Sequence, residues 1–330
     1  MKEKKSVFRR IADSREASLL IVLIILCVAI TAKSPSFMTA KSITDMLKNN
    51  AVIMIMAVGM LNVLLIGGID ISVASTLAFS GMSVGMLMKY DMITSTPVLF
   101  LIAIAIGTVC GLLTGLVISR GKVLPIIATM GFMYIYRGIA YVISKNAWAS
   151  ADDLGTYKNF ALGEVLGINN VIWVTIIVYI IFFIIMKWTR IGRKIYAVGS
   201  NREAAAISGI NTANIELLVY TIMGTLSGLA GALAVSVYAS AQPNMLYAKE
   251  MDVIAVCVIG GVSMTGGRGS VAGAFLGSLI LAIIAKALPL VGIDALAQNT
   301  VKGFIIMIVV VLNVVTQRIM NKNNLKGREM

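Results

Sequence analysis

The chain has 330 residues, yet it contains no histidine, only three cysteines, and charged side chains at just 13% of positions. Each scarcity excludes something. Without histidine, the commonest metal ligand and the usual proton carrier at neutral pH are both missing. Cys27, Cys110 and Cys257 each lie inside an apolar run, so they read as small buried hydrophobes and not as a disulfide framework or metal site. No P-loop with its lysine is present, and no Rossmann glycine fingerprint in a βαβ setting, so the chain shows no nucleotide site of its own. The absence of a ligand cluster or nucleophile–base set argues against an enzyme, and no cofactor is expected.

Apolar sequence is what the chain has in abundance. Hydrophobic residues make up 58% of it, in uncharged runs of about 16–25 residues, the length that crosses about 30 Å of hydrocarbon. The expected fold is an all-α polytopic membrane protein with no separate soluble domain. About ten spans are expected, at 17–32, 45–66, 72–88, 97–119, 123–143, 171–186, 215–239, 251–262, 270–288 and 297–316. The eighth is short, as a tilted, broken or re-entrant segment would be. Basic residues before the first run resemble a secretory signal. However, Leu26 precedes Cys27 where a lipoprotein signal needs a small residue, and Ala29/Thr31 is a weak cleavage site, so the first span is expected to be retained.

The net charge of +13 follows the bilayer and does not indicate nucleic acid. With a cytoplasmic N-terminus, eighteen of the 28 basic residues fall on the inner side. They include Arg120, Lys122, Lys187, Arg190, Arg193, Lys194, Arg202, Arg268 and both tails. The outer side holds seven, all lysine: Lys33, Lys41, Lys48, Lys89, Lys145, Lys158 and Lys249. Arg137, Lys286 and Lys302 fall within or at the edge of spans. This asymmetry places both termini (1–16 and 318–330) in the cytoplasm, beside anionic lipid headgroups. Two loops exceed turn length: 144–170 outside, with Trp148, Asp152, Asp153 and Glu164, and 187–214 inside.

Glycine is concentrated in two ways. Small-xxx-small spacing recurs at Gly81/Gly85, Gly107/Gly111/Gly115, Gly224/Gly228 and Gly269/Gly273/Gly277, which predicts close helix packing. Two glycine-centred stretches, GGIDIS at 67–72 and GGVSMTGGRGS at 260–270, interrupt apolar runs. Unpaired backbone in lipid costs several kcal/mol, so these must sit in turns, against helices or on a polar path. Gly67, Gly68, Asp70 and Ser72 are therefore candidates for a translocation path or gate. Asp70, an acid between two apolar runs, is expected to cap the following helix, with Ser72 in a similar role. The twenty methionines read as adaptable packing.

The segment 190–211 is the most promising functional stretch. Asn201 can cap a short helix with Glu203 in its first turn and Ala204, Ala205 and Ala206 following, ended by Ser208-Gly209. Such a helix would present a docking knob to a cytoplasmic partner.

Four ordered signatures carry a resemblance: GGIDISVAS, GRKIYAVGSNREAAAISGIN, VIGGVSMTGGRGSVAGAFLGSLIL and QNTVKGFIIMIVV. Over 42–318 the chain resembles the ribose-type permease subunits of bacterial ABC sugar importers. Ala74 stands where relatives usually have glycine. The resemblance implies a cobalamin-importer-like (type II) permease fold in the bacterial inner membrane and a single permease domain. It also implies a second permease subunit, identical or not, a cytoplasmic ATPase with tandem nucleotide-binding domains that binds the ATP, and an extracytoplasmic sugar-binding protein. Carried onto this chain, the ATPase-coupling helix falls at 201–209: Asn201, Glu203, Ala204, Ala205, Ser208 and Gly209. The rival readings are an ion-coupled secondary transporter and an amino-acid or nucleoside permease of the same superfamily. A secondary transporter would place acids and substrate sites at mid-membrane, whereas Asp70 and Glu216 fall near the inner surface.

Overall fold

A computed structural model of the protein describes residues 15–145, 147–294, 297–304, 307–308 and 311. The expected N-terminal tail up to residue 14, the C-terminal tail at 318–330 and much of the tenth expected span lie outside them. The helices are α1 (Arg15–Lys33), α2 (Ala40–Leu65), α3 (Val73–Lys89), α4 (Thr96–Ser119), α5 (Pro125–Ser144) and α6 (Asn170–Trp188). Then follow α7 (Arg190–Ser200), α8 (Arg202–Ile207), α9 (Thr212–Tyr238), α10 (Glu250–Ile259) and α11 (Val271–Leu290). Among the described residues, 7 helices are long and apolar enough to cross a membrane: α1, α2, α4, α5, α6, α9 and α11. The named strands among them form one small hairpin, β1 (Glu164–Val165) antiparallel to β2 (Ile168–Asn169), with Val165 opposite Ile168. The molecule is an all-α polytopic membrane protein.

Local chemistry sets the helix ends. Pro97 and Pro125 sit in the first turns of α4 and α5, where a missing N–H costs nothing. Thr39, Asn169, Thr189, Asn201, Asn211 and Ser270 each accept a hydrogen bond from an amide of the first turn that follows.

Two helices form the centre. From Ala51 to Leu65, α2 is buried at every position but the half-buried Ile53, as expected of a helix that is apolar all round. Beside it, α9 lays Gly224 and Gly228 against Gly107 and Gly111 of α4, so closely that a Cβ at any of these four would overlap backbone atoms of the facing helix. Gly81 and Gly231 bring α3 and α9 together in the same way. At these positions the small-xxx-small spacing is helix packing, as predicted, whereas Gly85 packs on Ala241 of the irregular 240–249 segment and Gly269 lies in the turn before α11. Met56, Met60, Met82 and Met223 fill the same core. Leu101 and Leu113 of α4, Ile127 and Ile135 of α5, and Ile177 and Ile181 of α6 stay exposed, a surface suited to lipid.

The eighth expected span is not a spanning helix. At 10 residues, α10 rises only about 15 Å, half the hydrocarbon thickness. The chain before it, 240–249, is irregular. Its backbone is satisfied by other means: Ala241 pairs with Ala149, and Arg137 of α5 donates to Pro243 O at 2.8 Å and Met245 O at 3.0 Å. This also accounts for the arginine that the basic-residue count left inside a span.

Candidate coupling site

The segment 187–214 folds into an elbow of two short helices. α7 is amphipathic: Gly192, Ile195 and Val198 face inward, while Arg190, Arg193 and Lys194 are exposed. Gly192 lies against the carbonyls of Ile185 and Met186, so the α6–α7 corner leaves no room for a side chain. Asn201 then ends α7 and starts α8, its Oδ1 accepting from Ala204 N at 2.9 Å. Gly209 closes α8 at φ +82, a left-handed conformation that favours glycine. Ile210 N returns to Ala205 O at 3.0 Å.

The elbow is anchored on both flanks. Arg202 of α8 forms a two-pronged ion pair with Glu216 of α9, the planar match that arginine makes with carboxylates. Arg120, at the end of α4, donates to Asn214 Oδ1. Behind the elbow, three glycine segments meet at the backbone. Gly267 N donates to Leu65 O at 2.8 Å. A Cβ at Gly199 would overlap Leu65 O, and one at Gly267 would come within 2.9 Å of the Ser200 Cα. Gly67 (φ +77) faces Thr265 O. Tyr196 of α7 donates to Gly269 O at 2.8 Å. Ser270, the cap of α11, donates to Glu16 of α1 at 2.9 Å. The end of α2, the end of α7 and the 260–270 turn are therefore one junction, and α8 springs from it.

Asp70 lies in the connection between α2 and α3 and is buried. Its Oδ1 accepts from Ser72 N at 2.8 Å and Ser72 Oγ at 2.6 Å. Burial pushes its carboxyl up to about 6, against the pull of those two hydrogen bonds. Asp70 therefore braces the start of α3. Ser72 does not share that role, because its hydroxyl turns to Asp70 and caps no helix amide. Gly68 is covered by the hydroxyl of Tyr220, a buried group without a hydrogen-bond partner among the described residues. Gly67, Gly68, Asp70 and Ser72 are thus brought together next to the junction.

The expected coupling residues divide by face. Asn201, Glu203, Ala204, Ser208 and Gly209 are exposed, whereas Ala205 is buried against its own chain. Ile207, which the sequence reading passed over, is 88% exposed and is the apolar tip of the elbow. Its signal was faint: a single isoleucine after three alanines. Tyr220 was also missed, since inside an apolar span a tyrosine gives no sign of where its hydroxyl points.

Glycine-packed, membrane-length helices around a short two-helix elbow make this a multi-pass membrane protein. The chain belongs to the family described as the permease component of branched-chain amino acid transport systems, whose model matches residues 42–312. It is similar to the ribose import permease protein RbsC of Escherichia coli strain K12, 34% identical over 301 residues, covering 90% of this chain and 93% of that one. The RbsC of Haemophilus influenzae is 37% identical over 295 residues, covering 88% and 90%. The L-arabinose ABC transporter permease protein AraH of Azospirillum brasilense is 31% identical over 300 residues, covering 90% and 87%. No solved structure matches.

Proposed function

We propose that this chain is the translocation subunit of an ATP-driven importer for a monosaccharide, forming half of the pathway with a second permease subunit. The reading draws on the printed names of its relatives, a ribose and an arabinose permease, and on one observation that carries it: an elbow rooted in the glycine junction and ending in an exposed Ile207. In this account, α7 and α8 lie in the cytoplasm with both termini, in the bacterial inner membrane. The permease fold is of the cobalamin-importer type. A cytoplasmic ATPase with tandem nucleotide-binding domains receives Ile207 in a cleft. Its ATP-driven movement reaches α2 and α11 through Leu65, Gly199 and Gly267. A sugar-binding protein delivers the substrate at the opposite end, where the 144–170 segment lies. The chain itself binds no ATP.

An ion-coupled mechanism fits poorly. Asp70 and Glu216 are each engaged, with Ser72 and Arg202 respectively, and both stand at helix ends, Asp70 between α2 and α3 and Glu216 near the start of α9. Uptake in vesicles holding the permease, its ATPase and its binding protein tests the proposal. ATP-dependent accumulation of ribose or another monosaccharide is the expected result. Accumulation driven by a proton or sodium gradient without ATP, or of leucine in place of any sugar, would overturn it.

A further inference from the structure

A polar cavity of about 270 Å³ opens in the half of the bundle remote from α7 and α8. Its polar lining is Asn49 and Asn50 of α2, Lys249, Asp252 of α10, Lys286 of α11, and Lys302. Lys249 Nζ and Asp252 Oδ2 pair at 2.8 Å, and Lys302 lies within electrostatic range of both. Lys286 and Lys302 have no carboxylate partner among the described residues. Three ammonium groups therefore share one carboxylate. Apart from Tyr238, the remaining lining is apolar, including Met46, Ile53 and Leu281.

Charge and position together identify the ligand. Two unneutralised cations inside a membrane bundle call for an anion, and neutral hydroxyls would leave both charges unmatched. The carboxamides of Asn49 and Asn50 add neutral donors suited to oxyanion oxygens. Lys286 sits one turn before the end of α11, so a lysine stem reaches from the acyl region to headgroup depth. The apolar wall then runs on beneath it. We infer that this cavity binds a phosphate group, that of an anionic phospholipid whose acyl chains lie along the partly exposed face of α11, at Phe275 and Leu279. The inference does not depend on which solute the permease carries.

Native mass spectrometry of the full-length permease tests it, with phosphatidylglycerol, phosphatidylcholine and inorganic phosphate as probes. Wild-type protein retains phosphatidylglycerol in preference to phosphatidylcholine. The Lys286→Gln/Lys302→Gln variant loses that preference by about twentyfold, since a lysine near headgroups contributes about a factor of five. Lys286→Arg/Lys302→Arg retains it, which separates lost charge from lost fold. Inorganic phosphate at about 10 mM, well above a weak-site affinity, leaves the lipid adduct in place. Equal phosphatidylglycerol retention by wild type and the glutamine variant would overturn the site. Displacement by inorganic phosphate alone would overturn the lipid as its source, and displacement by a neutral monosaccharide would overturn the anionic chemistry.

Discussion

The two ends of the bundle are held together differently. At the α7–α8 end the central joints are backbone against backbone, Gly199 on Leu65 O, Gly267 N to Leu65 O, and Gly267 on Ser200, with side-chain pairs such as Arg202–Glu216 on the flanks. At the other end, apart from the backbone pair of Ala149 and Ala241, long side chains span the gaps. Lys89 reaches Trp148 O at 2.7 Å and stands 3.7 Å from Asp153. Arg137 holds the carbonyls of the 240–249 segment, and Lys249 pairs with Asp252. Backbone joints leave no slack, so movement of one segment displaces the next, whereas side-chain joints can stretch and re-form. The first arrangement suits transmission of force from a partner. The second suits the end at which, in the proposed function, solute arrives.

The sharpest way to break this comparison is to put a side chain into a backbone joint. Gly199→Val forces a branched side chain onto Leu65 O and should cost about 3 kcal/mol or more, because backbone cannot yield as a side-chain tip does. Size-exclusion chromatography of the detergent-solubilised variant should show loss of the monodisperse peak. A stable variant with normal uptake would mean the junction is loose.

Next in size is Ile207→Asp. The side chain touches solvent and little else, so insertion and thermal stability should stay within about 0.5 kcal/mol of wild type. Co-purification of the ATPase should fall by about thirtyfold, the loss typical of an interface anchor. Ala205→Trp is expected to differ. Ala205 faces its own chain, so a bulky group there disturbs the elbow's packing, and the thermal melt should drop along with uptake.

Asp70 gives a prediction in pH. Its carboxyl is raised from 3.8 to about 6 in the folded protein. The protonated folded form is thus favoured at low pH, with its stabilisation full below about 4 and lost as pH rises through about 6. Thermal stability in detergent should therefore decline over that window, by at most about 2–3 kcal/mol. Asp70→Asn, which keeps an oxygen for Ser72, should flatten the decline. An unchanged pH profile would remove Asp70 as its source.

The smallest effect is expected at the other end. Asp153 is held below the usual carboxylate range chiefly by the backbone and side-chain hydrogen bonds from Ser150, with Lys89 contributing less. Lys89→Ala should shift stability by less than about 1 kcal/mol, as exposed pairs do. A loss as large as that of Gly199→Val would erase the contrast between the ends.

Much of the architecture was legible from hydropathy. The first expected span, 17–32, falls inside α1 (Arg15–Lys33), and 97–119 matches α4 (Thr96–Ser119) to one residue. Apolar run length and proline placement determine both. What could not be read is how segments distant in sequence meet. Residues 67, 199 and 267 each look like ordinary turn glycines, and only the fold shows that they share one joint. A helix of 6 residues such as α8 is also too short to display a period, so nothing in the sequence ranked Ile207 above Ala205. The half-length of α10 was visible, but its cause was not, because the arginine that satisfies the preceding chain comes from α5.

The most direct test of the central claim is thiol cross-linking between α8 and the ATPase in the assembled transporter. A background lacking Cys27, Cys110 and Cys257 would carry one cysteine, from Ile207→Cys or from Ala205→Cys, with a short bifunctional reagent. A cross-link at position 207 that changes in yield when ATP is added, and little or none at 205, is the predicted result. No cross-link at 207, with efficient capture instead by a cysteine placed at Arg268, would contradict the account and move the coupling surface to the 260–270 turn.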